Sequence, residues 1–600
     1  MRSRIALSSG LCPAGPSCAR ARHFGRIART QRLLQLVLVG TAVALAACGG
    51  SQRETAKPTA GGPVRGGSLI ASLRSEPATF NRFVTGGNSS ATDLISELTQ
   101  ATLVRVNRVT GAIEPALAER WSASRDGRTF TLTLRDDVTF SDGAPFTSAD
   151  VVFTCAVVYD PKVASVLASA LKVQNKPLQV TAPDAHTIVV AMPAPFAPGL
   201  ALLDSLPILP KHQLEAAYTS GKFQDAWNVS TTPGSMAGLG PFVLTQYQPG
   251  QRLVFSRNPH YWRKDAAGAP LPYLDAISLE IVASQDAEIL RMQAGSIDLM
   301  AQADLRPQDY ASLKRIAGQG FTLVELGPAV DPNMLWFNLT PAAAARPGKS
   351  FLQRAEFRQA VAYAVDRDAI VSSVYLGDAT PIYGPVSPGN KAWYSDQAPR
   401  YPYDPAKAKA LLARVGLVDR NGDGLLEDAS GARVRFTILT QANHIRGRVA
   451  TVLQEQLRQV GITVDVAALD PRSMFQRFAA GDYDAMYYGF QASSLDPANN
   501  LDFWLSSGSA HVWNAEQPQP ATSWERRIDD LMQQQSAAPT LAERQRLFAE
   551  VQAIFGENLP AVYFVTPNIA VAMSSRVGGA QPALLDPKVL WASDELYIRQ

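Results

Sequence analysis

The chain has 600 residues and a formal net charge of +3 at pH 7, and 46% of its residues are hydrophobic. A chain of this length can bury a large core and is expected to divide into two or more lobes. The first 47 residues carry seven arginines and no acid, so subtracting seven from +3 leaves the remainder with a net charge of −4. This mildly acidic remainder of mixed charge excludes a broad basic surface for nucleic acid.

The first predicted element is an export segment. The apolar run Leu33–Ala47 follows a basic stretch and is shorter than the roughly 20 residues that a membrane-spanning helix needs, so it fits a signal peptide. The end of this run, Leu45-Ala46-Ala47-Cys48, resembles the lipobox of bacterial lipoproteins. The resemblance implies that residues 1–47 are removed and that Cys48 is lipidated. The alternative is an ordinary signal peptide with an incidental cysteine. Residues 48–66 are rich in Gly and polar residues and are expected to form a flexible tether.

The cysteines agree with an exported chain that has no internal disulfide. Cys12 and Cys18 would leave with the signal peptide, and Cys48 would carry the lipid. Only Cys155 then remains, so the hydrophobic core has to hold the fold without disulfide bridges.

The next elements alternate between strands and helices. The stretch from Gly66 to Leu73 predicts a strand, and "TFTLTL" at 129–134 alternates with period two, as a half-buried strand does. A turn through Asp142-Gly143 leads to a helix that Thr147 or Ser148 would cap. Further along, "VLQEQLRQVGITVDV" predicts an amphipathic helix, a glycine stop and a strand. This alternation indicates α/β lobes.

The run "ALAERWSASRDGRTFTLTLRDDVTFSDGAPFTSADVVFT" is similar to the family-5 extracellular solute-binding proteins of bacterial ABC importers. The matching positions are Leu117, Ala118, Trp121, Asp126, Gly127, Phe130, Leu132, Leu134, Arg135, Phe140, Asp142, Gly143, Pro145, Thr147, Asp150 and Val151. The resemblance continues in order through "LPILPKH", "GLGPFVLTQYQPGQRLVFSRNPHYW", "MQAGSIDLM" and "EFRQAVAYAVDRDAIV". No single position is specific, whereas the joint match is.

The resemblance implies a two-lobed α/β periplasmic-binding-protein fold, class II-like, with mixed sheets, a hinge between the lobes and an extra small insert domain. The first lobe would be discontinuous. The expected regions are residues 67–104, 230–330 and 561–600 for the first lobe, 105–229 for the insert domain and 331–560 for the second lobe.

The resemblance also implies a function in solute import. The protein would be a monomeric lipoprotein that is exported, faces the periplasm or the cell exterior, and delivers its solute to an ABC permease and its ATPase. The sequence has no Gly-x-Ser-x-Gly, His-Glu-x-x-His, Cys-x-x-Cys or phosphate-binding glycine loop, so neither catalysis nor a cofactor is expected. The alternatives are a secreted hydrolase that keeps a binding fold, and a non-transporting adhesin or chaperone-like lipoprotein.

The segment "DYDAMYYGFQASSLDPANNLDFWLSSG" is expected to form the centre of the pocket. In peptide-binding members of the family an aspartate there accepts the α-amino group of the peptide, but this chain has Ser493 at that position. A hydroxyl can accept a hydrogen bond but cannot neutralise an ammonium group. Ser493 thus argues against recognition of peptides with a free amino end. The resemblance still makes peptides the leading ligand class, with oligosaccharides or other polar solutes as the alternative. The candidate ligand-binding residues are Asn81, Asn338, Tyr383, Trp393, Tyr488, Phe490, Ser493, Asp496, Trp504, His511 and Trp513.

The stretch "DRNGDGLLEDAS" at 419–430 resembles a calcium-binding loop. Asp419, Asn421 and Asp423 occupy the first, third and fifth positions of such a loop, but Ser430 stands where a bidentate glutamate is needed. A strand pattern, rather than a helix, follows. The pattern therefore favours a structural turn over a metal site.

Overall fold

The computed structural model describes residues 62–302, 305–442, 444–490 and 494–599. The predicted signal peptide, Cys48, most of the predicted tether and Ser493 lie outside these residues. Among the helices that the structure describes, none combines the length and the apolar character that crossing a membrane requires.

The structure alternates strands with helices along the described chain. The strands are β1 (Ser68–Leu73), β2 (Val104–Val106), β3 (Ile113–Pro115), β4 (Ala118–Ala123), β5 (Thr129–Leu134), β6 (Lys172–Val173), β7 (Lys176–Pro177), β8 (Gln179–Asp184), β9 (Thr187–Ala191), β10 (Phe242–Gln248), β11 (Arg252–Arg257), β12 (Ala276–Ile281), β13 (Leu299–Met300), β14 (Phe321–Pro328), β15 (Met334–Phe337), β16 (Ala379–Pro381), β17 (Arg435–Gln441), β18 (Thr463–Leu469), β19 (Ala485–Tyr488), β20 (Ala561–Tyr563), β21 (Val565–Ser574), β22 (Val577–Gly578) and β23 (Tyr597–Ile598). The α-helices are α1 (Ser90–Thr99), α2 (Ser148–Tyr159), α3 (Gly199–Leu202), α4 (Lys211–Thr219), α5 (Gln285–Gln293), α6 (Pro307–Ile316), α7 (Pro341–Ala344), α8 (Ala355–Ala364), α9 (Arg367–Tyr375), α10 (Pro405–Arg414), α11 (His444–Gln459), α12 (Pro471–Ala479), α13 (Leu501–Trp504), α14 (Ser523–Ala537) and α15 (Leu541–Asn558). Short 3-10 helices are Leu203–Ser205, Phe223–Asp225, Ser350–Gln353, Pro497–Asn500 and Leu590–Glu595.

The first main sheet has eight strands in the order β10-β11-β12-β1-β13-β21-β14, and β16 pairs with β21. Its centre is parallel: β1 pairs in parallel with β12, in the register Ser68 to Ala276, and with β13. In contrast, β21 is antiparallel to both β13 and β14. The mixed pairing places strands from both ends of the described chain in one sheet, with only β13 between β1 and β21.

A four-stranded antiparallel sheet in the order β4-β5-β9-β8 lies within the residues predicted to form the insert domain. The predicted alternation of β5 is confirmed, since Phe130, Leu132 and Leu134 are buried and the residues between them are not. The predicted cap is also present. Thr147 and Asp150 form a reciprocal capping box at the start of α2, which satisfies backbone N–H groups that a helix start leaves open.

The second main sheet has five strands in the order β18-β17-β19-β15-β20. The strands β17, β18 and β19 are parallel, and β15 runs antiparallel between β19 and β20. All four residues of β15 are buried, as expected for a strand that is covered on both faces. The predicted helix and following strand are present as α11 and β18. Between them Gly461 has a φ of +87°, a left-handed conformation that glycine adopts readily. The predicted α/β class with mixed sheets is confirmed.

Two short crossings connect the main sheets, and the chain also runs over longer stretches from β15 to β16 in the first sheet and back to β17 in the second. The chain passes from β14 to β15 through residues 329–333, and it returns from β20 to β21 through Phe564. The first crossing is hydrogen-bonded to the start of β21, just after the second crossing. The N–H of Ala329 donates to the carbonyl of Pro567 at 2.8 Å, and the hydroxyl of Thr566 donates to the carbonyl of Ala329 at 3.1 Å.

The position of the second crossing corrects one predicted boundary. Residues 561–600 were assigned to the first lobe, but Ala561–Tyr563 forms β20 and pairs with β15 in the second sheet. The chain enters the first sheet only at Val565, after Phe564. The other predicted boundaries stay predictions.

The crossings join the same kind of edge in both sheets. Because β13 and β14 are both antiparallel to β21, the chain leaves β14 at the edge where the parallel strands of the first sheet end. It enters the second sheet at Met334, which pairs with Tyr488, the last residue of β19. The crossings therefore connect the carboxyl edges of the two sets of parallel strands, which is where open α/β sheets bind ligands.

Candidate functional site

The carboxyl edge of the second sheet has a topological switch point. The chain leaves β17 through α11 to reach β18 on one side, and it returns through α12 to β19 on the other side of β17. Because the connections diverge there, a crevice opens beyond the ends of β17 and β19. We use the name edge cluster for the side chains around this point. They are Asn333, Trp336, Gln441, Arg446, Phe475, Tyr488 and Phe490.

Aromatic rings form the exposed part of the edge cluster. Phe490 is 43% exposed, stacks on buried Trp336 with ring centroids 6.1 Å apart, and meets Tyr488 edge-on at 6.1 Å. Phe475 is 37% exposed and meets Tyr488 edge-on at 5.4 Å. Large aromatic rings are costly to leave in water, so exposed rings at a ligand-binding edge offer an apolar platform for a solute.

Arg446 provides the positive charge of the edge cluster. It lies in the first turn of α11, where its Nε donates to Oδ1 of Asn333 at 2.8 Å and its Nη1 donates to Oε1 of Gln441 at 2.6 Å. Its guanidinium carbon lies 4.1 Å from the centroid of the Tyr488 ring, within the range of a cation–π contact. These contacts fix the orientation of the guanidinium plane.

The carboxyl edge of the first sheet is polar. Arg74, directly after β1, forms an ion pair with Glu288 at 3.2 Å. The backbone N–H of Arg74 donates to Oε1 of Gln302 at 3.1 Å. The hydroxyl of Ser72 also donates to Glu288 at 2.6 Å. Glu288 has no exposed surface, so these partners compensate a charge that would otherwise be costly to bury. One edge thus presents the partly exposed Arg74, held by a buried glutamate, and the other presents aromatic rings.

Of the predicted ligand-binding residues, Tyr488 and Phe490 lie in the edge cluster. Ser493 lies outside the described residues, so its position relative to the cluster stays a prediction. Tyr383 is half-buried beside the crossings, where the guanidinium of Arg367 lies 4.5 Å from its ring centroid.

Asp496 has protein partners. Its carboxylate accepts hydrogen bonds of 2.7 and 2.5 Å from the two Nη atoms of Arg544, and one oxygen accepts the N–H of Ala498 at 3.0 Å. Arg544 is 7% exposed and Asp496 is 20% exposed. Asp496 thus neutralises a nearly buried arginine and caps the 3-10 helix that begins at Pro497.

Four of the predicted ligand-binding residues are buried together beneath the second sheet: Trp393, Trp504, Trp513 and His511. The two ring nitrogens of His511 lie 3.1 Å from the carbonyl oxygen of Phe503 and 3.3 Å from Oε1 of Glu525. Burial raises the pKa of Glu525, but the hydrogen bonds from His511, Gln517 and Thr522 outweigh burial, and the net pKa is lowered.

Asn81 and Asn338 are also fully buried. The amide of Asn81 donates to the carbonyl of Ala226 at 3.1 Å, and the amide of Asn338 donates to the carbonyl of Tyr483 at 3.0 Å. Both side chains thus fix backbone segments. A ligand contact by these buried residues stays a prediction.

The loop at 419–430 has the hydrogen bonding of a turn. Asp419 accepts the N–H groups of Gly422 and Gly424 at 2.7 and 2.8 Å. Asp423 pairs with Arg433, whose hydrogen bonds lower the pKa of the aspartate, and Asn421 donates to Asp423 at 3.3 Å. Within the part of the chain that the structure describes, no group of three or more His, Cys, Asp or Glu side chains is arranged to hold a metal ion.

Sequence reasoning missed Asn333, Arg446 and Phe475. Asn333 stands directly before β15, Arg446 lies in the first turn of α11, and Phe475 lies in the middle of α12. The available signal was positional. Once β17 and β19 are identified as parallel strands, the residues that follow their carboxyl ends become candidates for the crevice.

The chain is similar in sequence to a known protein family and to individual members of it. A model described as "Bacterial extracellular solute-binding proteins, family 5 Middle" matches residues 112–511. A probable ABC transporter-binding protein from Deinococcus radiodurans is 28% identical over 525 residues, which cover 84% of this chain and 87% of the relative. The oligopeptide-binding protein AppA from Bacillus subtilis is 27% identical over 576 residues, which cover 92% of this chain and 96% of the relative.

A solved structure has the same fold. The ABC transporter substrate-binding protein CtaP from Listeria monocytogenes superimposes with a TM-score of 0.71 at 24% identity, covering 89% of this chain and 100% of that one. The two-lobed fold that the sequence predicted is therefore confirmed.

Proposed function

Because the chain belongs to family 5 of the bacterial extracellular solute-binding proteins, we propose that it captures a peptide-like solute between the carboxyl edges of its two main sheets and delivers it to the permease of an ABC importer. One observation carries the proposal: the two crossings join these edges, and exposed aromatic rings line one of them. Export, lipid anchoring through Cys48 and action as a monomer belong to the same proposal.

Capture requires that the two sheets move relative to one another. Residues 329–333 and Phe564 are the two short connections between them, and longer stretches of chain lead from β15 to β16 in the first sheet and back to β17 in the second. The first short crossing is held to the start of β21 by main-chain and hydroxyl hydrogen bonds. Two short parallel connections of this kind form a hinge about which two rigid bodies can close. A ligand drives closure only if it contacts the closed state better than the open one.

The aromatic platform supports a ligand with apolar side chains. Phe490 and Phe475 offer ring faces to an apolar or aromatic group, and Arg446 lies beside them. AppA, which is related over nearly its whole length, is named an oligopeptide-binding protein. Since Ser493 replaces the expected aspartate, the proposed ligand is a peptide whose amino end is not held as a buried ammonium group.

Small-angle X-ray scattering of the mature protein tests capture by closure. A pool of random-sequence pentapeptides at saturating concentration is expected to reduce the radius of gyration, because closure brings the two sheets together. An unchanged radius of gyration, with binding verified by native mass spectrometry, would overturn the hinge mechanism.

Calorimetry tests the ligand class. The wild type is expected to bind free and N-acetylated pentapeptides with similar affinity and to prefer both over an oligosaccharide mixture. Ser493→Asp should tighten binding of the free peptides by about tenfold, because a charge-assisted hydrogen bond is stronger than a neutral one by roughly 1–2 kcal/mol. The same variant should weaken binding of the acetylated peptides, with Ser493→Thr as the control. Binding of oligosaccharides and of neither peptide would overturn the peptide assignment.

A further inference from the structure

We propose that Arg446 is a positioning residue that couples ligand contact at the aromatic rings to the crossing between the two sheets. The inference rests on the proposed function, since it assumes that a ligand reaches the edge cluster. It adds a physical connection between that cluster and the hinge.

The connection begins at Asn333, the last residue of the first crossing. Its Oδ1 accepts the hydrogen bond from Nε of Arg446 at 2.8 Å. Asn333 also packs tightly against Gly489, because a Cβ atom placed on Gly489 would lie 2.9 Å from this oxygen and 3.1 Å from the Cα of Asn333. A side chain held this closely moves when either neighbour moves. Arg446 and Gly489 together therefore fix where the crossing meets the second sheet.

The same two neighbours lead to the exposed rings. Tyr488 precedes Gly489 in the chain, and its ring lies under the guanidinium of Arg446 at 4.1 Å. Tyr488 in turn touches both exposed rings, Phe490 and Phe475. Contacts thus run without interruption from the surface that a solute would cover, through Tyr488 and Arg446, to Asn333.

Arginine suits this position because of its shape. Its planar fork lets Nε reach Asn333 while Nη1 reaches Gln441 at the end of β17, and the plane stacks on Tyr488 at the same time. A lysine ammonium would keep the charge but has no plane to stack and no fixed angle between its donors. Arg446→Lys therefore removes the coupling geometry while it retains the positive charge.

A coupling role for Arg446 and a role limited to local packing predict different effects on ligand-induced closure. If the contacts stabilise the closed arrangement, breaking them lowers the fraction of the liganded protein that is closed. The apparent affinity then falls in proportion to the population of the competent state. A role limited to local packing would lower thermal stability but would leave ligand-induced closure unchanged.

The experiment compares Arg446→Lys, Asn333→Ala and the double variant with the wild type. Each single variant is expected to bind the pentapeptide pool about tenfold more weakly and to show a smaller decrease in radius of gyration at saturation. The double variant should lose no more than either single variant, because both remove the same contact. Arg435→Lys is the matched control: Arg435 lies on β17 of the same sheet and makes two hydrogen bonds, of 2.6 and 2.8 Å, to Asp465 on the adjacent strand β18.

The outcomes are distinguishable. Full compaction of Arg446→Lys and Asn333→Ala at saturating peptide, whatever their melting temperatures, would overturn the coupling and leave the proposed function standing. A wild type that binds the pool without compacting would overturn the proposed closure and the coupling with it. If Arg446→Lys does not fold, Asn333→Ala alone decides between these results.

Discussion

Glu97 lies on α1 among opposing charges, and its environment raises its pKa from 4.5 to about 7, because burial favours the neutral form more strongly than Arg108 favours the charged one. The folded protein thus holds this proton to a higher pH than the unfolded chain does, so the free energy of unfolding falls as the pH rises from 4.5 to 7. Glu97→Gln removes that loss. We expect the variant to equal the wild type near pH 4.5 and to exceed it by about 1–3 kcal/mol at pH 8. Urea denaturation across this range measures the difference, and parallel pH profiles would refute it.

Prediction of the site was limited because a sequence shows the type of each residue but not its burial or its distant partners. A sequence shows that Trp504, Trp513 and Phe490 are aromatic, but only the fold shows that the first two are buried and that Phe490 is exposed. Asp496 could be read as an acceptor for a ligand amine because its partner Arg544 is distant in sequence. The residue type of Arg446 gave no signal, since a single arginine in a first helical turn usually faces solvent, and only its position after β17 pointed to the crevice.

The segment between β16 and α10 packs onto the end of β14. A Cβ atom placed on Gly389 would lie 1.9 Å from the carbonyl oxygen of Pro328, and nearby the hydroxyl of Ser387 donates to the carbonyl of Ala329. Gly389→Ala should lower the free energy of unfolding by about 1–3 kcal/mol, because backbone has to move to admit the methyl group. Gly384→Ala is the matched control, since nothing lies within 4 Å of its added Cβ, and it should change stability by less than about 0.5 kcal/mol. Calorimetric unfolding of both variants checks this; equal effects would show that the close approach is absent.

Elements with a long periodic pattern were predictable and short buried ones were not. The alternation in β5 and the amphipathic pattern of α11 each extend over enough residues to define a period. In contrast, β20 has three residues, all buried, so its sequence cannot show which sheet it joins. Its assignment depends on pairing with β15, a contact between distant parts of the chain. This explains why the predicted boundary at 561 was wrong while the fold class was right.

At the scale of the whole molecule, the proposed attachment to a membrane depends on one residue. We expect Cys48→Ala to abolish acylation and to release the protein into the soluble fraction, because stable anchoring takes more than one acyl chain and all of them would be added through this cysteine. Mass spectrometry of the mature protein and detergent phase partitioning measure the two effects. Acyl mass on a variant that still partitions with membranes would show that the anchor lies elsewhere.

The first sheet combines strands that a ribosome would make at very different times. Its central strand β1 is near the start of the described chain, whereas β21, which pairs with β13 and β14, is near the end. All five strands of the second sheet lie between residues 334 and 563. The second sheet can therefore close while the first still has an unpaired strand edge, the kind of edge that templates aggregation in a nascent chain. Completion of the first sheet must wait for the last part of synthesis. A chain cut short before residue 565 would keep the second sheet's strands and the run β10-β11-β12-β1-β13, but β13, β14 and β16 would lack the strand that joins them.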